Sequence, residues 1–113
     1  QVFVLINGPT FSASTLFAHT VKAQSNVLLV GEEAGGGAHG NSGILIPDVV
    51  LPETKMKVRL PLFKLVQYHH APKNGRGVMP DIDVPPTVEN VRKGRDGKMN
   101  KVMEIIKDSS AIQ

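Results

Sequence analysis

The chain has 113 residues, with 13 Lys plus Arg against 10 Asp plus Glu for a net charge of +3, 41% hydrophobic and 4% aromatic residues, and no Cys or Trp. That length allows one domain with a core that needs no staples, and the lack of Cys excludes a disulfide scaffold, a Cys-ligated zinc site, an iron–sulfur cluster and a thiol nucleophile. Charges of both signs are interspersed, which reads as solubility rather than a nucleic-acid footprint, and no apolar run approaches the roughly 18 to 20 residues of a membrane-spanning helix.

Residues Val2 to Ile6 form a continuous apolar run rich in β-branched side chains, which predicts a strand covered on both faces and ended by Asn7-Gly8-Pro9. The chain enters this strand from Gln1 without an initiator Met or a leader, so the expectation is a piece of a longer protein. From Ser12 to about Gln24, Ala13, Leu16, Phe17 and Val21 recur at helical spacing, with Thr10 or Ser12 available as the cap. Residues Val27 to Val30 make a second strand, and strand, helix, strand in that order predicts a parallel crossover in an α/β core.

Five glycines between Gly35 and Gly43 then make a loop whose backbone can approach something closely. Ile44 to Leu51 and Lys55 to Leu65 read as strands broken by Pro47, Pro52 and Pro61, an antiparallel addition to the sheet. Residues Tyr68 to Pro86 are turn-rich. Two short helices are expected at Thr87 to Lys93 and Lys98 to Lys107, the second with Met99, Val102, Met103 and Ile106 on one stripe. The mixed charges between Arg92 and Lys107 read as a solvated helical face.

Ser12 is the position richest in chemical meaning. Between a strand and the helix it opens, a hydroxyl lies close to unpaired backbone N–H groups and the positive end of the helix dipole. That chemistry serves a plain N-cap as well as a nucleophile, and the G-x-S-x-G elbow of the α/β hydrolases is absent.

The run Val4-Leu5-Ile6-Asn7-Gly8, then Phe11-Ser12-Ala13-Ser14, Val30-Gly31-Glu32, the glycine loop and Gly77-Val78-Met79-Pro80-Asp81-Ile82 resembles the C-terminal half of the S41 serine peptidases, the tail-specific, C-terminal processing and tricorn-like proteases. The resemblance covers residues 1 to about 85 and leaves 86–113 as a helical tail. It implies a crotonase/ClpP-like core, left incomplete here, in which Ser12 is the nucleophile and the Ala13 N–H one oxyanion donor. It also implies a peptide or protein substrate, hydrolysis of peptide bonds through an acyl-enzyme, and a cell-envelope, periplasmic or secreted setting.

Two positions depart from the family pattern. Gly37 stands where the processing enzymes carry a Lys base, and Asn74 or a neighbour stands where the tricorn-like branch has an orienting Glu. The base is therefore expected from an upstream half, and the isolated segment is expected to be inactive. A scaffold or peptide-binding module that kept the fold is the alternative, and an acyl-CoA enzyme of the crotonase type a third.

His39, in the glycine loop, is the one histidine of the four that is a candidate to touch substrate or catalytic groups; His19, two turns after Ser12 on the helix, reads as packed or half-exposed. His69-His70 resembles a metal pair only superficially, since neighbours on an extended chain point apart. Glu32 is either part of a Gly-Glu turn near the site or a solvated strand end, and Asp81 reads as a turn residue. The glycine loop lacks the endings of a P-loop or a dinucleotide fingerprint, so no cofactor or metal is expected. With half of the core uncovered, self-association through exposed strands is expected.

Overall fold

The computed structural model describes residues 1–68 and 74–110; His69 and His70 lie outside the described residues. In chain order the elements are β1 (Val2–Ile6), α1 (Ala13–Lys22), β2 (Val27–Gly31), β3 (Gly40–Asn41), β4 (Asp48–Val50), β5 (Lys57–Arg59), β6 (Leu65–Val66), β7 (Ile82–Asp83), α2 (Val88–Arg92) and α3 (Gly97–Ser110). β1 and β2 run parallel, with Val2 opposite Val27 and Ile6 opposite Gly31, and β7 continues the sheet in the same direction beside Val30 and Gly31. The expected parallel crossover is present, and with the antiparallel ladders it makes a mixed α/β chain.

The strand order β1-β2-β7 puts β2 at the centre, where Leu29 and Val30 are fully buried. β1 is an edge strand instead of one covered on both faces: Val2 and Leu5 are exposed and Ile6 alone is buried. The core is Ile6, Ala18, Leu29, Ala34, Ala38 and Val78, flanked by Val4, Val21 and Val27. Its small side chains let α1 and the glycine-loop backbone come close to the sheet.

α1 is rotated from the expected stripe. It buries Thr15 and Ala18, while Phe17 remains 58% exposed. A hydroxyl tolerates that burial because Thr15 Oγ1 donates to the Thr10 carbonyl at 2.9 Å.

The antiparallel strands do not extend the parallel sheet. β4 pairs with β5 and β3 with β6, as two separate two-stranded ladders. Pro47 and Pro61 flank the β4–β5 pair and Pro52 lies in its turn; a proline has no N–H to give to a longer ladder. The chain is correspondingly elongated, 70 × 37 × 20 Å with a radius of gyration of 18.7 Å, against about 13 Å for a compact chain of this length.

The tail docks on the sheet through one turn of α3. Asp96 Oδ1 caps that helix by accepting from the Lys98 and Met99 N–H groups, Lys98 Nζ pairs with Glu32 Oε2 at 2.7 Å, and Val102 is buried. Met99, Met103 and Ile106, expected on the packed stripe, are exposed. No described helix is long and apolar enough to cross a membrane.

Candidate active site

Ser12 sits where the chain, leaving β1 after Ile6, turns into α1. The turn is closed twice over: Thr10 N–H donates to the Asn7 carbonyl at 2.9 Å, and the Thr10 hydroxyl accepts from Asn7 N–H at 3.0 Å while donating to Asn7 Oδ1. Thr10 is thereby spent on the turn and caps nothing.

Ser12 occupies the N-cap position with φ 52° and ψ −122°, and its side chain makes no capping hydrogen bond. A non-glycine residue held there costs on the order of 1 to 3 kcal/mol and persists only where the surroundings impose it. An ordinary cap sits in the extended region and uses its oxygen; Ser12 does neither, and its hydroxyl has no partner among the described residues. Ala13, exposed, opens the helix, where the first N–H groups lack an intrahelical acceptor.

The glycine loop lies directly on this turn. Gly36 N–H donates to the Thr10 carbonyl at 3.0 Å, so that oxygen accepts from both Gly36 and Thr15. A Cβ at Gly35 would run into the Gly8 carbonyl and the Phe11 ring, and one at Gly36 into Thr15. Gly37 differs: a Cβ there meets only the Gly40 carbonyl at 3.6 Å, ordinary contact, so packing does not require glycine at that position.

A strap of residues 76–81 holds the loop from the other side. Ala34 N–H donates to the Val78 carbonyl and Ala38 N–H to the Arg76 carbonyl. Glu33 divides its carboxylate, Oε1 accepting from Gly77 N–H at 2.7 Å and Oε2 pairing with Arg76 at 2.6 Å. Asp81 Oδ2 accepts from Leu29 N–H at 2.8 Å in the central strand, and Oδ1 pairs with Lys22 Nζ at 2.9 Å. Burial by itself pushes the Asp81 carboxyl up, but the Leu29 N–H and the Lys22 ammonium outweigh it and hold the group below the ordinary carboxylate range.

The remaining expected site residues separate. Gly37 and His39 line one small pocket with residues of β6 and the strap, whereas Ser12, Ala13, Glu32 and Asn74 do not line it. Glu32 directly follows β2; its N–H donates to the Ile6 carbonyl at the end of β1 at 3.1 Å, and its part-exposed carboxylate pairs with Lys98 at 2.7 Å. Asn74 Oδ1 accepts from Arg76 N–H at 3.1 Å and so closes its own turn. Lys22 is committed to Asp81 and the Met79 carbonyl. Among the described residues no three potential ligands gather as a metal site.

Sequence reasoning missed the Glu33–Arg76, Asp81–Lys22 and Glu32–Lys98 pairs. The one available signal was the adjacency of Glu32 and Glu33 at a strand end, where successive side chains point to opposite faces and so find different partners. No curated protein matches the chain. The family model of peptidase family S41 matches residues 1–84, the span that holds the Ser12 turn, the glycine loop and the strap, and the chain belongs to that family.

Proposed function

We propose that this chain carries the nucleophile of a serine-type peptidase. The observation behind the reading is the Ser12 turn: a serine at φ 52°, its hydroxyl unused, at the mouth of a helix and the end of a parallel strand. Backbone strain of that kind gathers at functional sites, and family membership gives it a chemistry, attack on a peptide carbonyl.

In the proposed reaction Ser12 Oγ bonds to the scissile carbonyl carbon as its proton passes to a base. The Ala13 N–H donates to the developing oxyanion; the tetrahedral adduct collapses, and the leaving amine departs with the proton. Water, giving a proton to the same base, then attacks the acyl carbon; the C–Oγ bond breaks, the carboxyl product leaves and Ser12 Oγ takes the proton back. One oxyanion donor is worth about 2.7 to 4 kcal/mol of transition-state stabilisation. No described side chain lies within hydrogen-bond reach of Ser12, so the base is assigned to a group outside the described residues, with the core completed in a crotonase-like arrangement.

A second reading, a peptide-binding scaffold without catalysis, is favoured by two observations. Gly37 leaves room for a side chain and supplies none, and Asn74 spends its oxygen on its own turn. Peptide hydrolysis by the intact protein that carries this segment separates the readings. Loss of turnover in Ser12→Ala, with Ser14→Ala retaining it, is the expected result. Turnover that survives Ser12→Ala would take the nucleophile role away from Ser12, and a folded intact protein with no turnover would move the assignment to the scaffold.

A further inference from the structure

The pocket shared by Gly37 and His39 is completed by Gly40, Lys64, Val66, Gly75 and Arg76 and encloses about 160 Å³. Gly37 directly follows Gly36, whose N–H is bonded to the Thr10 carbonyl two residues before Ser12, so one wall of the pocket is a single residue from the loop's bond to the proposed nucleophile's turn. Its walls are glycine backbone and Val66. Its charged groups are all of one sign, because no lining residue is acidic. Arg76 is balanced by Glu33, outside the lining, but Lys64 has no carboxylate partner among the described residues.

We propose that this pocket is a specificity subsite that takes an acidic side chain of the bound peptide, with the Lys64 ammonium as its charge partner. The inference rests on the peptidase reading for the presence of a peptide, but the recognition itself needs no chemistry at Ser12. The volume is that of about five water molecules, enough for a carboxymethyl or carboxyethyl group. A chain terminus fits less well, since its carboxylate brings its own Cα, amide and side chain into the same space. Lys64 is a mobile point charge on a long stem, placed to neutralise a carboxylate while glycine walls let the peptide backbone lie close.

The test is calorimetric binding of blocked alanine pentapeptides with a central glutamate or a central glutamine to the intact protein carrying Ser12→Ala, beside an alanine pentapeptide with a free C-terminus. The glutamate peptide is expected to bind about threefold to fivefold tighter than the glutamine peptide, in keeping with an ion pair at an exposed site. Lys64→Glu is expected to abolish that preference and Lys64→Arg to retain it. Lys64 is exposed, so neither substitution touches the core. Equal binding of the two blocked peptides, no binding of the glutamate peptide, or a preference unchanged in Lys64→Glu would each overturn the proposal, and preference for the free C-terminus would assign the pocket to a chain end instead. Glutamate selectivity without Ser12-dependent hydrolysis in the intact protein would remove the peptidase reading and leave the subsite standing.

Discussion

Two regions of this chain are held together by different means. The Ser12 turn, the glycine loop and the 76–81 strap are tied by cross-links from distant sequence: Gly36 to Thr10, Glu33 to Arg76 and Gly77, Asp81 to Leu29 and Lys22. The β4–β5 hairpin exposes Val49, Val50, Met56, Leu60, Leu62 and Phe63, and its ion pair of Asp48 with Arg59 at 3.4 Å lies open to solvent. A two-stranded hairpin is marginal in water by itself. The lesson is that this chain invests its specific polar contacts where a strained residue must be held still, because strain at Ser12 survives only if its surroundings over-determine it.

The comparison breaks first at Gly77. A Cβ there would meet the Ala34 backbone and the Gly36 carbonyl, so Gly77→Ala must push the strap off the loop. The expected cost is about 3 kcal/mol, at the upper end for overpacking, read as a lowered midpoint in urea. A Gly37→Ala control is expected to cost well under half as much, since only ordinary contact awaits its methyl group.

Asp81 comes next. Asp81→Ala leaves the Leu29 N–H of the central strand without its acceptor, and a loss of about 1 to 3 kcal/mol is expected from an unsatisfied buried donor. Because the folded-state pKa of Asp81 lies below its ordinary value, its contribution is complete above the ordinary carboxylate range and fades as pH falls through the folded value. Asp81→Asn should therefore flatten the acid limb of the stability profile, and an unchanged limb would show that the carboxylate charge contributes nothing there.

Ser12→Gly sharpens the contrast with the opposite sign. Glycine accepts φ 52° freely, so relief of strain should raise stability by about 1 kcal/mol, offset in part by the greater freedom of the unfolded chain. Ser12→Ala keeps the strain and should gain nothing. On the hairpin, Val50→Thr is expected to change stability by less than about 0.5 kcal/mol, as for other exposed positions, and its amides should exchange with solvent far faster than those of β2.

The sequence carried the parallel core plainly, because β-branched runs and a helical period of apolar residues survive whatever covers them. It misled wherever burial depended on partners. Val2 to Ile6 has the composition of a central strand and forms an edge; Phe17 and Met99 carry the hydrophobic period and face water. The prolines marked the hairpin's strands but not their separation from the sheet, since a break in a ladder does not reveal which strand lies on its far side. At the site, Ser12 was legible as a strand-to-helix residue, whereas its left-handed φ was not, because no local signal in Phe11-Ser12-Ala13 demands it. The strap's ion pairs span more than forty residues and leave no trace in spacing.

The central claim, that the Ser12 turn is strained for chemistry, is tested most directly by reacting the intact protein with a fluorophosphonate and locating the adduct by tandem mass spectrometry. A single adduct on Ser12, with Ser14 unmodified, is the predicted result; a folded protein that takes no adduct, or takes it on Ser14, would contradict the account.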